Sequence, residues 1–201
     1  PAPAVTASLI PLLTLVYFTT LGKSVKSTLP SETAMPRATL SGQPPVIIAH
    51  RGLSGHFPEH TEIGYRAAIA AGADFIEPDL VMSRDGVPIV RHDRYLSAST
   101  NIEDHPEFAS RKRPDPAGTL RHDDWFVEDF TLAEIKTLRT RQPFPGRSTE
   151  HDDIHPVLTF EEVVQIALQA SETEGRLIGI YPETKSPGHH ESLGLEMRGP
   201  L

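Results

Sequence analysis

Four short apolar runs in this chain each stop on charged or imidazole side chains: VIIAHR from Val46, ADFIEPD from Ala73, VPIVRHD from Val87 and RLIGIYPETK from Arg176. A continuous apolar run bounded by loop residues is the pattern of a strand buried on both faces, as in parallel sheets covered by helices. Between the first two runs lies TEIGYRAAIAAG, with Thr61 placed to cap a helix and Gly72 placed to end it. Thr131-Leu-Ala-Glu134 and Thr159-Phe-Glu-Glu162 read as capping boxes and announce two further helices. Strand and helix alternate, with polar residues collected at strand ends, so the predicted class is α/β.

Two links depart from a plain alternation. SRDG, between the second and third runs, reads as a hairpin turn that makes those strands antiparallel and sets Glu77 across from His92. If the strands are instead parallel, both still end on the same rim. The segment between Asp93 and Pro156 is rich in charge and proline, with an insertion expected over about 94–130 that holds the single Trp125. That is more than a strand-to-helix connection needs, and it predicts a lid or specificity insertion, with a solvated loop as the plainer alternative.

Composition narrows the function. A formal net charge of −8 argues against nucleic acid or an anionic membrane surface as partner. With no cysteine, there are no disulfides, thiolate metal sites or cysteine nucleophiles. The apolar stretch Val5 to Gly22 is too short and interrupted for a stable membrane span and reads as a clipped export signal over 1–22. A hydrophobic appendage is the alternative. Residues 23–45, rich in Ser, Thr and Pro, read as a linker. The export reading predicts a periplasmic or secreted location.

The strand ends deliver His50 and Arg51, Glu77 and Asp79, His92 and Asp93, and Glu183 and Lys185. Glu77 and Asp79 are two apart, so on a strand they share a face and repel unless a cation lies between them. With Glu183 they form an all-oxygen set suited to Ca²⁺ or Mg²⁺. A divalent ion neutralises a phosphodiester and the charge that develops on it during cleavage. Two histidines can then divide the proton work, while Arg51 and Lys185 bind phosphate oxygens. Each residue alone is commonplace; four strand ends carrying complementary groups are not. His56, His60, His105, His122, His151 and His155 are expected in loops, solvated or structural, and His189 and His190 receive no role.

The stretch IIAHRGLSGHFPEHTEIGYRAAIAAGADFIEPDLVMSRDGVPIVRHDRYL resembles the glycerophosphodiester phosphodiesterase family, whose signature runs HRG, PENT or PEHT, a Glu-x-Asp strand, a DG turn and a strand ending in His-Asp. DFTLAEIKTL, TFEEVV and IGIYPETKSPGHH are similar to its periplasmic-type branch, and the resemblance covers about 46–190. It implies a TIM-type (β/α)₈ barrel of the PLC-like phosphodiesterase kind, a calcium or magnesium ion, and hydrolysis of small-molecule glycerophosphodiesters to glycerol 3-phosphate and an alcohol. It implies His50 and His92 as the catalytic pair, Glu77, Asp79 and Glu183 as metal ligands, and Arg51 and Lys185 on the phosphate. In that picture a neighbouring glycerol hydroxyl attacks phosphorus and water then opens a cyclic phosphate. The resemblance also implies that the second and third strands are parallel. The stretch from Val46 to Leu201 falls well short of the roughly 250 residues of such a barrel, so about its first half is expected. SLGLEMRGPL, within a tail over 191–201, follows no strand or helix pattern. A half barrel leaves strand edges open, so the expectation for this chain alone is poor folding or inactivity. A sphingomyelinase D-like relative and an inactive remnant are the alternatives; the absence of cysteine counts against the first.

Overall fold

β1 (Ile48–His50) stands where the first apolar run predicts it. The computed structural model describes residue 42 and residues 44–116, 118 and 120–197. The 1–22 segment and nearly all of the 23–45 linker lie outside these residues, as does the end of the tail. Among the described residues no helix is long and apolar enough to cross a membrane.

α1 (Glu62–Ala70) follows, with the Thr61 hydroxyl accepting from the Gly64 N–H at 3.3 Å. Gly72, at φ +98°, turns the chain out of it. β2 (Phe75–Glu77) returns parallel to β1 and places Glu77 beside His50. Pro78 has no N–H to donate, so the run expected as one strand divides, and β3 (Asp79–Met82) resumes after it. Its carbonyl remains usable. The β2–β3 line therefore keeps one ladder with β5 (Gly179–Ile180) and β6 (Glu183–Thr184), through Tyr181 N to Ile76 O at 2.9 Å, Glu183 N to Pro78 O at 2.9 Å and Lys185 N to Leu80 O at 2.8 Å.

β4 (Pro88–Val90) runs antiparallel to β3, with Leu80 against Val90. The hairpin reading of SRDG holds, and the parallel arrangement implied by the resemblance does not. A parallel crossover takes a dozen or more residues, far more than this link supplies. One detail of the hairpin reading needs correction. The ladder pairs Leu80 with Val90 and reaches no further than the Arg91 N–H, which donates to Asp79 O at 2.9 Å, so Glu77 lies outside it and does not pair across from His92.

The segment after β4 is not a solvated loop. Short 3-10 turns at Ile102–Asp104, Pro106–Arg111 and Val127–Asp129 and a brief helix α2 (Leu132–Ile135) fold it into a lobe. Leu96, Ile102, Phe108, Trp125, Phe130, Ile135 and Leu138 pack there with Val81 and Ile89 of the hairpin. The Trp125 indole N–H donates to Phe108 O at 2.7 Å. Burying each such aromatic or branched side chain stabilises the lobe by about 1.5–3 kcal/mol.

α3 (Phe160–Glu174) begins with the predicted capping box at Thr159 and Glu162 and stops at Gly175, φ +64°. It lays Val163, Ile166, Ala167 and Ala170 over a second core made by Tyr65, Ile69, Ile76 and Leu80. α4 (Pro187–Ser192) follows β6, and Met197 returns to this core. On the outer side of β5, Leu177 is 86% exposed and Tyr181 50%.

Candidate active site

β1, the β2–β3 line and β6 bring their polar ends around one buried carboxylate, that of Asp79. Pro78 splits the strand so that Glu77 and Asp79 bracket the break, both buried. Glu183 lies on the neighbouring strand in register with Asp79 and is more exposed. One oxygen from each of Glu77, Asp79 and Glu183 lies within 4.8 Å of the others.

The HRG sequence explains the other side. Arg51 takes a left-handed backbone, φ +59°, and its N–H donates to the Glu77 carboxylate at 2.9 Å and to Glu77 O at 3.2 Å. Gly52 must be glycine. A Cβ there would lie 2.9 Å from the backbone carbon of Gly64, so only its absence lets this loop lie on α1. The Arg51 side chain donates to Glu59 at 2.9 Å, and its Nε lies 3.2 Å from Asp79 Oδ2. Lys185 places its ammonium 3.1 Å from Asp79 Oδ1 and 2.6 Å from Glu183.

The electrostatics follow from this crowding. Burial, and next the charge of Asp79, push the Glu77 carboxyl up to about 8. Burial also opposes ionisation of Asp79, but the hydrogen bond from His60 and then Lys185 outweigh it and hold Asp79 well below the usual carboxylate range. His50 is lowered by burial and next by Arg51, which favours the neutral ring. For Arg51 and Lys185 burial is outweighed by the facing carboxylates, and both are raised.

The donor set fits a hard divalent cation. All three candidate ligands are carboxylates, two are buried side by side, and Asp79 Oδ1 is buried without a hydrogen bond. Glu77, Asp79 and Glu183 would hold such an ion. Arg51 and Lys185 flank them as fixed cations, each paired with Asp79.

Six of the seven residues expected from the sequence thus meet: His50, Arg51, Glu77, Asp79, Glu183 and Lys185. His92 stands just beyond Arg91, whose N–H reaches Asp79 O, and its Nδ1 pairs with Asp93 at 3.0 Å. The sequence reading missed Glu59, His60 and Tyr65. His60, expected solvated or structural in a loop, is buried and bonded to Asp79 at 3.1 Å. Its place in the PEHT motif, at the entrance to α1 on the rim, was the available signal.

Comparison with known proteins gives a family and a fold. Residues 50–197 match the profile of the glycerophosphoryl diester phosphodiesterase family. The glycerophosphodiester phosphodiesterase GDPD6 of Arabidopsis thaliana is 43% identical over 160 residues, covering 79% of this chain and 42% of the relative. A glycerophosphodiester phosphodiesterase of Haemophilus influenzae is 32% identical over 163 residues, covering 76% of this chain and 42% of the relative. The chain therefore spans less than half the length of these relatives. Among solved structures, one from Silicibacter pomeroyi assigned to the glycerophosphoryl diester phosphodiesterases matches with a TM-score of 0.54 and 26% identity, over 74% of this chain and 48% of that one. An Oleispira antarctica phosphodiesterase, solved in complex with the product sn-glycerol-3-phosphate, matches in fold with a TM-score of 0.51 and 24% identity, over 75% of this chain and 49% of that one.

Proposed function

Because the chain belongs to the glycerophosphoryl diester phosphodiesterase family and forms about half of its TIM-type barrel, we propose that it carries the catalytic rim of an enzyme that hydrolyses glycerophosphodiesters to glycerol 3-phosphate and an alcohol. The observation that carries this reading is the carboxylate set Glu77, Asp79 and Glu183, flanked by Arg51 and Lys185 at the end of the strand that bears His50.

A calcium or magnesium ion, which Glu77, Asp79 and Glu183 would hold, would supply charge neutralisation at the phosphodiester. Arg51, whose Nη1 is held by Glu59 and whose Nε lies beside Asp79, offers its remaining N–H groups to phosphate oxygens. Lys185 adds a point charge from the other side. His50, whose neutral form burial favours, takes the proton of the attacking hydroxyl. His92, oriented through Nδ1 by Asp93, gives a proton to the departing alkoxide as the phosphorus–oxygen bond breaks. The head group thus leaves as its alcohol and a cyclic phosphate stays on the glycerol; water then adds to phosphorus, giving a proton to His92 while His50 returns its proton to the ring oxygen that departs, and glycerol 3-phosphate is released.

The test joins this chain to the C-terminal part of the Arabidopsis relative, so that the remaining strands are supplied. Glycerophosphocholine should then release glycerol 3-phosphate in Ca²⁺ or Mg²⁺ and not in chelator. His50→Ala and His92→Ala should each lower the rate about 10²–10⁴-fold. A chimera that folds but cleaves sphingomyelin in preference, or keeps its rate in either variant, refutes the assignment. The apolar Val5–Gly22 segment supports a periplasmic or secreted location, and fractionation of cells expressing the chain checks it.

A further inference from the structure

We infer that His60 is a positioning residue for the cation site: by holding Oδ2 it fixes the carboxylate of Asp79 so that Oδ1, beside Lys185, is the oxygen offered to the ion, and Tyr65 in turn fixes His60. This rests on reading Glu77, Asp79 and Glu183 as the cation ligands.

The two oxygens of Asp79 have different surroundings. Oδ2 meets His60 Nε2 at 3.1 Å and Arg51 Nε at 3.2 Å. Oδ1 faces the Lys185 ammonium at 3.1 Å and makes no hydrogen bond. Holding Oδ2 therefore decides where Oδ1 points. Arg51 is a poor candidate for that work, since its Nε lacks a hydrogen-bonding geometry and its fork is turned to Glu59. The imidazole has no such divided duty.

The ring is clamped at both ends. Its Nδ1 lies 2.8 Å from the hydroxyl of Tyr65, a fully buried residue of α1. That hydroxyl is also 3.4 Å from Glu77 O, on the strand of the other buried ligand. Facing a carboxylate, Nε2 must carry the proton. Tyr65, His60 and Asp79 thus form a buried relay from the helix to the ligand, the arrangement by which outer partners orient metal-binding side chains.

The backbone supports the same reading. His60 is left-handed, φ +59°, and its N–H donates at 3.1 Å to the carbonyl of Arg51, which is left-handed as well. Such conformations are costly for residues with a side chain and persist where surrounding structure holds them, commonly beside functional sites. A side chain that only filled space here could be leucine, with no polar nitrogens to desolvate.

The test uses the 201-residue chain and titrates Ca²⁺ alone by calorimetry, with circular dichroism confirming the fold of each variant. His60→Leu should weaken Ca²⁺ binding about 10–100-fold. His60→Gln, which keeps an N–H at a similar reach, should restore it to near the parent value, and Tyr65→Phe should fall between. A folded His60→Leu that binds like the parent overturns the inference, as does a His60→Gln as weak as His60→Leu. Should His60→Leu fail to fold, Tyr65→Phe decides: weakened binding with an unchanged melting temperature supports the relay, and unchanged binding removes it. If the parent chain takes up no Ca²⁺ and matches Asp79→Asn, the cation reading fails and this inference falls with it.

Discussion

His190 is fully buried in α4, with neither ring nitrogen hydrogen-bonded among the described residues. Burial lowers it to about 4 against the opposite pull of Glu128, and the neighbouring His189 and Arg94 lower it by smaller amounts. Its unfolded value is near 6.5, so between 6.5 and 4 the unfolded chain binds more protons than the folded one. Stability is therefore full above about 6.5 and declines as the pH falls toward 4. His190→Leu should flatten that decline and leave the melting temperature at pH 7 unchanged or higher, since an unpartnered polar ring is removed; melting curves across the pH range check both. The candidate-site residues were more legible than this one. His50, Arg51, Glu77, Asp79, Glu183 and Lys185 end strands, and strand ends in an α/β fold meet. His60 was not legible, because its partner Asp79 is 19 positions away and only the folded β1–α1 loop brings them together.

At the level of elements, local signals were reliable wherever they carried their own geometry. The boxes at Thr131 and Thr159 both form, each with its glutamate returning to the cap. Thr159→Ala should cost about 1 kcal/mol, measured by urea unfolding. SRDG was legible as a hairpin because its length excludes a crossover, and the resemblance misled on this point. The lobe was not legible. Apart from Ile135 on α2, its apolar residues lie on 3-10 turns, bends and links with neither a helical nor a strand period, so only their meeting in three dimensions reveals a core. Phe130, fully buried edge-on to Phe108 with Arg111 over its face, is central to it. Phe130→Ala should cost about 3–5 kcal/mol in the same unfolding assay. A loss below 1 kcal/mol would mean the lobe does not contribute to global stability.

At the largest scale, β5 is the outer strand of the parallel wall among the described residues. β5 pairs with β2 on one side, and Leu177 and Tyr181 face outward near its ends. An apolar strand edge of this kind invites pairing with other chains. Leu177→Lys together with Tyr181→Lys should suppress concentration-dependent light scattering, shift stability by no more than about 0.5 kcal/mol per exposed site, and leave Ca²⁺ affinity unchanged. Scattering that persists in the double variant would place the sticky surface elsewhere. The hairpin has a different consequence. β4 returns to Asp79 in a register fixed by its own ladder with β3, so both ends of the lobe are anchored on the same short ribbon. Closing a longer loop between such anchors costs little more, because closure entropy grows only with the logarithm of length. The lobe is therefore a grafting point with one condition: a module exchanged into it must also cover Val81 and Ile89, the side chains of the ribbon that the lobe buries, if the carboxylate row is to keep its strand-to-strand spacing.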